Sequence, residues 1–272
     1  MTSRHQRVTG HFRARGAAAI VVLALAGCGG GDTSGGAGTP APSSGTAAFC
    51  SAAVEFDDAA SAGPDVDEAT ATPEQVQAAV KKFATELEAS LAAVEQQAPE
   101  AVKADVGTVA RLYRQAAATG DAATLQSPEL DTAEQNIDTY MLQECGYEKI
   151  DVTATEYDFQ GLPASIKAGT IAITLTNQGR ELHEVAVLQL KEGVTQPLAE
   201  ILNLPEQQAT GMLTEVATTF AEPGRTDTLF VPLTPGRYGA VCSVPQGTTS
   251  ADTPGTGPPH FTLGMVREFS VA

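Results

Sequence analysis

The sequence predicts an α + β protein whose two structural classes occupy separate domains: a disulfide-stapled helical bundle over residues 49–147 and a Greek-key β-sandwich over residues 150–272. Apolar residues in the first region recur every three to four positions, the period of a helix that faces a core. In the second region apolar and polar residues alternate in short runs separated by Gly and Pro. The total of 272 residues is enough for two ordinary domains.

Residues 1–27 have the pattern of a secretory signal rather than of a folded element. Four arginines precede an apolar run, residues 17–26, that is too short to span a bilayer as a mature helix. The run ends in Leu25-Ala26-Gly27-Cys28, which resembles the lipobox of bacterial lipoproteins. That resemblance implies that Cys28 is diacylated, becomes the mature N-terminus and anchors the protein on the extracytoplasmic side of the cell membrane. Ordinary secretory cleavage is the alternative, and both interpretations predict export.

Composition indicates how the exported chain would be held at the membrane. Residues 28–48 are rich in Gly, Ser, Thr and Pro and cannot build a core, so we predict a flexible linker there. The chain has 33 Asp and Glu against 16 Lys and Arg, a net charge of −17. Such a chain does not adsorb to nucleic acid or to an anionic membrane surface by charge. Membrane contact is therefore expected through lipid on Cys28, and a charge-steered partner would present a positive face.

Helix signals begin at Phe49, which opens a short Ala-rich segment that ends by Gly63. Thr72-Pro73-Glu74-Gln75 is a second start, with Thr72 as N-cap, Pro at the first helical position and Gln75 closing a capping box. Apolar residues then recur at steps of three and four as far as Val94. This pattern predicts one continuous amphipathic helix after Thr72.

The second half of the helical region has its own start and stop signals. Pro99 is expected to start a helix that Gly120 ends. Asp131 together with Glu134 is expected to cap a last helix that ends at Cys145. The sequence therefore predicts a small antiparallel bundle.

The cysteines divide into different expected roles. Cys28 is assigned to lipid, and Cys50 and Cys145 bracket the helical region, where export permits a disulfide between them. Cys242 is left over, and an unpaired Cys in an exported protein needs a reason. Metal ligation is one reason, and a small buried apolar residue is the other.

After residue 150, apolar and polar residues alternate in short runs, and the segments between these runs contain Gly and Pro. Many short strands joined in this way predict a Greek-key sandwich. Residues 196–202 look like a helix inserted between strands. The predicted strands are residues 152–159, 171–176, 182–190, 226–233, 237–244 and 265–271.

The histidines and sulfur residues of the second region form a recognisable ligand set. His5 and His11 would leave with the signal segment, so the mature chain keeps His183 and His260. Two imidazoles, a thiolate and a weak axial thioether are the ligands of a blue copper site. A lone His or a lone Cys is more often a structural residue than a ligand, so the hypothesis depends on the complete set: His183, Cys242, His260 and Met265.

Residues 150–272 resemble a cupredoxin of the plastocyanin-like group in three motifs. Gly236-Arg-Tyr-Gly-Ala-Val-Cys242-Ser243 is similar to the family's strand end before the thiolate. His260-Phe-Thr-Leu-Gly264-Met265-Val266 is similar to its second ligand segment, and Asn177-x-Gly179-x-x-x-His183 to its first. The resemblance implies one copper ion that alternates between Cu(I) and Cu(II), with His183, Cys242 and His260 as trigonal ligands and Met265 as the axial one.

Two features depart from the family pattern. Seventeen residues lie between Cys242 and His260, more than is usual in small blue copper proteins. Loop length adds little closure entropy, so a site is still expected to form. Glu184 stands after the first His, where the family often has an Asn that ties the ligand loops together. We therefore expect that tie to be lost or changed.

The resemblance implies a membrane-tethered extracytoplasmic copper protein that carries one electron to or from a redox protein partner. Two alternatives use the same scaffold: a copper carrier or storage protein, and a metal-free binding module. Enzyme activity is not expected, because multicopper oxidases need more His than two and the chain has no Cys-x-x-Cys-His haem motif.

Overall fold

A computed structural model describes residues 42–67, 70–251 and 253–272. The predicted signal segment 1–27, the proposed lipidation site Cys28 and most of the predicted linker lie outside these residues. The described chain has a helical N-terminal region followed by a region of mixed β-sheets. None of the helices among the described residues has the length and apolar character needed to cross a membrane.

The described part of the N-terminal region contains five α-helices and one short 3-10 helix, Ala122–Gln126. Their apolar faces pack into two adjoining cores, one centred on Leu91 and Tyr113 and the other on Phe49 and Met141. The helices are α1 (Ser44–Ser61), α2 (Pro73–Glu86), α3 (Glu88–Gln97), α4 (Lys103–Thr119) and α5 (Pro128–Glu144).

Helix ends follow the capping chemistry of the sequence at some positions and depart from it at others. Thr72 and Gln75 form the expected reciprocal capping box at the start of α2. Gly120 ends α4 with a positive φ of 73°, a conformation that glycine adopts without strain. The single stripe expected to reach Val94 is interrupted at Leu87, which separates α2 from α3.

Three helices start elsewhere than the sequence predicts. Helix α1 begins at Ser44 rather than Phe49, because the side chain of Ser43 accepts a hydrogen bond from the Thr46 amide. Helix α4 begins at Lys103, after a turn at Pro99. Helix α5 begins at Pro128 rather than near Asp131, because Ser127 caps it and Pro128 occupies its first position.

A disulfide joins Cys50 of α1 to Cys145 at the end of α5, with their Cα atoms 5.8 Å apart. Both cysteines are buried in the core that contains Phe49 and Met141. The Tyr147 hydroxyl donates a hydrogen bond of 3.1 Å to the Cys50 carbonyl, so the chain stays attached to α1 as it leaves the helices. The predicted staple is therefore present.

The C-terminal region contains nine described strands and two short helices, α6 (Leu198–Ile201) and α7 (Glu206–Met212). The sequence anticipates α6 but not α7, and it does not anticipate β6, whose burial alternates only weakly. The strands are β1 (Glu148–Thr155), β2 (Asp158–Gln160), β3 (Ser165–Ile166), β4 (Gly169–Asn177), β5 (His183–Leu190), β6 (Leu213–Ala221), β7 (Thr226–Leu233), β8 (Gly236–Val241) and β9 (Val266–Val271).

These strands form two sheets with a shared apolar core. One sheet has the order β2-β1-β4-β7 and the other β3-β9-β8-β5-β6. The β1/β4 and β3/β9 pairs are parallel, and the other pairs are antiparallel. Ile173 and Val231 from the first sheet and Val187 and Phe269 from the second belong to one core cluster. The Greek-key connectivity expected from the sequence stays a prediction.

The helical region packs on the outer face of the four-stranded sheet. Ala172 of β4 and Phe230 of β7 belong to the core that contains the disulfide, and the Tyr147 ring lies 5.8 Å from the Phe230 ring. Strand β4 is therefore buried on both faces around Ala172, which explains why the three apolar residues Ile171-Ala172-Ile173 follow one another there. Ala172, Phe230 and Tyr147 therefore lie at the interface between the helices and the sandwich.

We expect that replacing both disulfide cysteines, Cys50→Ala with Cys145→Ala, lowers the free energy of unfolding by about 4–5 kcal/mol. The crosslink spans 95 residues, and closing a loop of that length removes much of the entropy of the unfolded chain. Denaturant unfolding of the oxidised protein and the double variant measures the difference. Equal unfolding midpoints, or peptide mapping that places Cys242 in a bridge, would contradict the prediction.

Candidate metal centre

Three side chains converge at one end of the sandwich. A ligand atom from each of His183, Cys242 and His260 lies within 4.8 Å of those from the other two. The Cys242 Sγ lies 3.3 Å from His260 Nδ1, and the two imidazole rings are 5.0 Å apart between centroids. All three residues are fully buried. The geometry is that of a small, water-excluding site with two nitrogen donors and one sulfur donor.

The strand ends of the five-stranded sheet bring these residues together. His183 opens β5, Cys242 follows β8, and β9 begins one residue after Met265. Because β8 is antiparallel to both β5 and β9, the end of β8 lies beside the starts of its two neighbours. His260 comes from a short 3-10 helix, His260–Leu263, placed just before β9. Regular sheet pairing therefore fixes most of the site.

Backbone hydrogen bonds lock the Cys242, His260 and Met265 segments to one another. The Cys242 amide donates to the Met265 carbonyl at 3.1 Å, and the Met265 amide donates to the His260 carbonyl at 3.2 Å. The Phe261 amide donates to the Cys242 carbonyl at 2.8 Å. Met265 is fully buried in the same core cluster as Cys242. Its thioether as an axial ligand stays a prediction.

The donor atoms have the properties that a soft metal ion requires. Neither ring nitrogen of His183 has a hydrogen-bond partner among the described residues, although both are buried. Buried polar atoms are normally paired, so two orphaned nitrogens on one ring call for a partner. Cys242 is a free, buried thiol. A metal ion between the three side chains would pair with one of the His183 nitrogens and with the Cys242 sulfur.

Burial sets the protonation of the donors. Desolvation lowers the pKa of His183, and the neighbouring His260 lowers it further. Desolvation also lowers the pKa of His260. Both imidazoles are therefore held neutral, the form that ligates metals. Desolvation raises the pKa of the Cys242 thiol well above its ordinary value, so the thiolate would form together with metal binding.

Asn177 organises the loop that leads to His183. Its buried side-chain amide donates to the carbonyls of Glu181 and Ala221, each at 2.7 Å, and its side-chain oxygen accepts from the Gly179 amide at 2.8 Å. Gly179 is needed for space, because an added Cβ would lie 2.8 Å from His183 Nε2. The sequence places both residues in a motif, and the structure gives each a physical role.

Glu184 forms a tie between the first and second ligand segments. Its carboxylate accepts a hydrogen bond of 2.5 Å from the Ser243 amide, and its own amide points at Cys242 Sγ at 3.5 Å. The side chain is buried, and desolvation raises the pKa of Glu184 to about 7. The connection between the two segments is therefore present, and a carboxyl group makes it rather than the side-chain amide of an Asn.

The long connection between Cys242 and His260 folds back on itself. Pro245 pairs with Pro259, and the His260 amide donates to the Val244 carbonyl at 3.0 Å. The Leu182 amide donates to the carbonyl of buried Thr248 at 2.8 Å. This hydrogen bond holds the inserted residues beside His183. The inserted residues thus leave the two ends of the loop close together, and its length does not separate Cys242 from His260.

Sequence reasoning missed three residues around the imidazoles. Glu181 Oε2 lies 2.9 Å from His260 Nε2, and the Tyr157 ring packs 4.7 Å from the His260 ring. Glu156 Oε1 lies 3.5 Å from His183 Nε2. No local pattern identifies Glu156 or Tyr157, because they reach the site from the β1–β2 turn. The spacing Glu181-Leu182-His183 is the one available signal, and it is weak.

Both carboxylates are ionised more readily than in water. Burial alone would raise the pKa of Glu181, but hydrogen bonds from Gly247, His260 and Tyr157 outweigh burial and lower it. Burial would likewise raise the pKa of Glu156, and the backbone amides of Arg180 and Glu181 reverse the effect. The outer edges of both imidazoles therefore face negative charge.

No protein-family model matches the chain, and no curated protein matches it. Auracyanin from the photosynthetic bacterium Roseiflexus castenholzii shares 21% identity over 46% of this chain and 96% of its own, with a TM-score of 0.30. Auracyanin A, a "blue" copper protein from Chloroflexus aurantiacus, shares 18% identity over 46% of this chain and 98% of its own, with a TM-score of 0.29.

An enzyme also appears among the similar solved structures. The copper-containing nitrite reductase from Thermus scotoductus SA-01 shares 15% identity over 46% of this chain and 31% of its own, with a TM-score of 0.24. At these identities and TM-scores, similarity carries no argument about function.

We expect Asn177→Ala to lower the free energy of unfolding of the metal-free protein by about 1–3 kcal/mol, because it leaves buried backbone groups of the loop unpaired. Denaturant unfolding measures the effect. Asn203→Ala is the matched control, since the Asn203 side-chain amide makes one exposed hydrogen bond, to the Ala199 carbonyl of the preceding helix α6. A loss for Asn177→Ala no larger than that for Asn203→Ala would contradict the assigned role.

Proposed function

We propose that this protein is a one-electron carrier with a type 1 copper site, in which His183, Cys242 and His260 are the trigonal ligands and Met265 is the axial ligand. The observation that carries the proposal is the cluster itself: a free buried thiol beside two buried neutral imidazoles, one of which lacks any hydrogen-bond partner among the described residues. The cupredoxin motifs of the sequence point to the same residues.

The donor set favours copper among the common metals. Two imidazoles, one thiolate and a weak thioether are the ligands of blue copper sites, whereas hard ions such as Mg²⁺ and Ca²⁺ prefer oxygen donors. The three close donors are fully buried, so the site excludes water that would otherwise complete the coordination of an oxygen-seeking ion. Bound copper would supply a one-electron couple between Cu(I) and Cu(II).

The surroundings of the donors favour electron transfer over storage. Cys242 and Met265 are tied by a backbone hydrogen bond, and Glu184 ties the segments of His183 and Cys242. Fixed donors need little rearrangement when the charge on the metal changes. Burial also restricts access by a competing chelator, which a storage protein would have to allow.

The proposed location is the extracytoplasmic side of the cell membrane, with lipid on Cys28 as the anchor. The lipobox-like sequence at Cys28 supports the anchor. The Gly- and Ser-rich residues after it would act as a flexible linker that lets the folded regions extend away from the membrane surface. The strong negative charge of the chain favours a redox protein partner with a positive surface. Nucleic acid is not a proposed partner.

We expect the mature protein loaded with Cu(II) to absorb intensely in the visible range, because the Cys242 thiolate donates charge to the metal. Cys242→Ser should abolish that absorption, since a hydroxyl is a hard and poor substitute for a thiolate. His183→Ala should weaken copper binding strongly. Met265→Leu is the matched variant, which should keep both copper and colour while its reduction potential shifts.

Absorption spectra, metal analysis and exchange with a redox dye test this proposal together. Protein that stays colourless and metal-free after copper loading would contradict it and favour a binding module. Ready transfer of Cu(I) to a chelator without electron exchange would contradict it in favour of a copper carrier.

We expect Cys28→Ala to remove the protein from the membrane fraction or to leave its leader uncleaved, because the acylated residue is lost. Fractionation of expressing cells, followed by mass measurement of the N-terminal peptide, checks the outcome. Normal cleavage with unchanged membrane retention would contradict lipid attachment at Cys28.

A further inference from the structure

The Glu181 carboxylate makes three hydrogen bonds at the outer edge of the cluster. Its Oε2 accepts from His260 Nε2 at 2.9 Å and from the Gly247 amide at 2.7 Å. Its Oε1 accepts from the Tyr157 hydroxyl at 3.1 Å, and that hydroxyl accepts in turn from the Gln246 side-chain amide at 2.8 Å. Donors from three segments of the chain therefore fix the position of this carboxylate.

The contact with His260 determines which ring nitrogen carries the proton. An ionised carboxylate only accepts hydrogen bonds, so the proton of the neutral ring must lie on Nε2. His260 Nδ1 is then left with its lone pair free, and it is this nitrogen that faces Cys242 Sγ at 3.3 Å. Glu181 thus prepares the ring for ligation before any metal arrives.

The charge of Glu181 acts on the site as well. The carboxylate is one imidazole ring away from the donor nitrogen, and its side chain is 17% exposed, so water screens it only in part. A nearby negative charge stabilises the more highly charged oxidised metal more than the reduced one.

His183 provides an internal contrast. Glu156 Oε1 lies 3.5 Å from His183 Nε2, but neither nitrogen of that ring has a hydrogen-bond partner among the described residues. The Glu156 carboxylate is instead occupied by the backbone amides of Arg180 and Glu181. One imidazole of the cluster is therefore oriented from outside by a carboxylate, and the other is not.

We propose that Glu181 is a positioning residue of the copper site, which holds the proton of His260 on Nε2, presents Nδ1 to the metal and lowers the reduction potential through its charge. This inference rests on the proposed function for its effect on potential. Its effect on the His260 ring is a property of the metal-free protein and stands independently.

The experiment uses the mature chain with two substitutions at the same position. Glu181→Gln keeps the shape of the side chain and removes its charge, and Glu181→Leu removes both the charge and the hydrogen bond. Glu206→Gln is the control for loss of one negative charge on the exposed helix α7, away from the cluster. Nitrogen-15 NMR of His260 in the metal-free proteins reports the tautomer, and redox titration of the copper-loaded proteins reports the potential.

We expect the wild-type His260 ring to be in the Nε2–H form, and Glu181→Leu to convert it to a mixture of tautomers. In Glu181→Gln, the preference for Cu(I) over Cu(II) should rise at least tenfold, which is about 59 mV for a one-electron couple. Glu206→Gln should leave both readouts at wild-type values, because a distant exposed charge is screened.

An unchanged tautomer in Glu181→Leu, or a potential in Glu181→Gln equal to that of Glu206→Gln, would overturn the proposal. If the wild-type protein binds no copper, the proposed function fails, and the tautomer measurement still decides whether Glu181 orients His260. The two failures are therefore distinguishable.

Discussion

The candidate metal centre depends on the burial of two imidazoles and a thiol at a single point, out of contact with bulk solvent. Burial keeps His183 and His260 neutral and Cys242 protonated, so the three donors coexist without charge when no metal is present. The arrangement remains incomplete, because the His183 nitrogens have no hydrogen-bond partner among the described residues. Three features hold these donors in place: the Asn177 side-chain amide, the Glu184 carboxyl group and the pairing of the strand ends.

The clustered side chains of the candidate metal centre were predictable from the sequence because they lie in short local motifs. Cys242 follows a strand, and His260 and Met265 precede the next one, so their spacing is visible in one stretch of chain. Glu156 and Tyr157 were not predictable, because only the fold brings the β1–β2 turn against the imidazoles. The long loop before His260 was predictable as an insertion, but its closure by the Pro245–Pro259 pairing was not.

The secondary structure likewise contains elements that local sequence predicts and elements that it does not. Strand β7 and the capping box at Thr72 follow directly from local sequence. Strand β6 does not, because its weak alternation reflects its position at the edge of the sheet, where few of its side chains are buried. Helix α5 begins at Pro128 and not near Asp131, because the Ser127 side chain caps it by accepting a hydrogen bond from the Leu130 amide.

Strand β4 belongs to two cores at once. Ala172 packs among the helices, Ile173 packs inside the sandwich, and Asn177 at the end of the same strand closes the loop before His183. Without the helices, Ala172 and Phe230 would form part of an apolar surface on the outer face of the four-stranded sheet. Surfaces of that kind associate with one another in water. The helical region covers this surface of the four-stranded sheet and would limit self-association of the sandwich, a role in colloidal stability that is separate from any contact with the candidate metal centre.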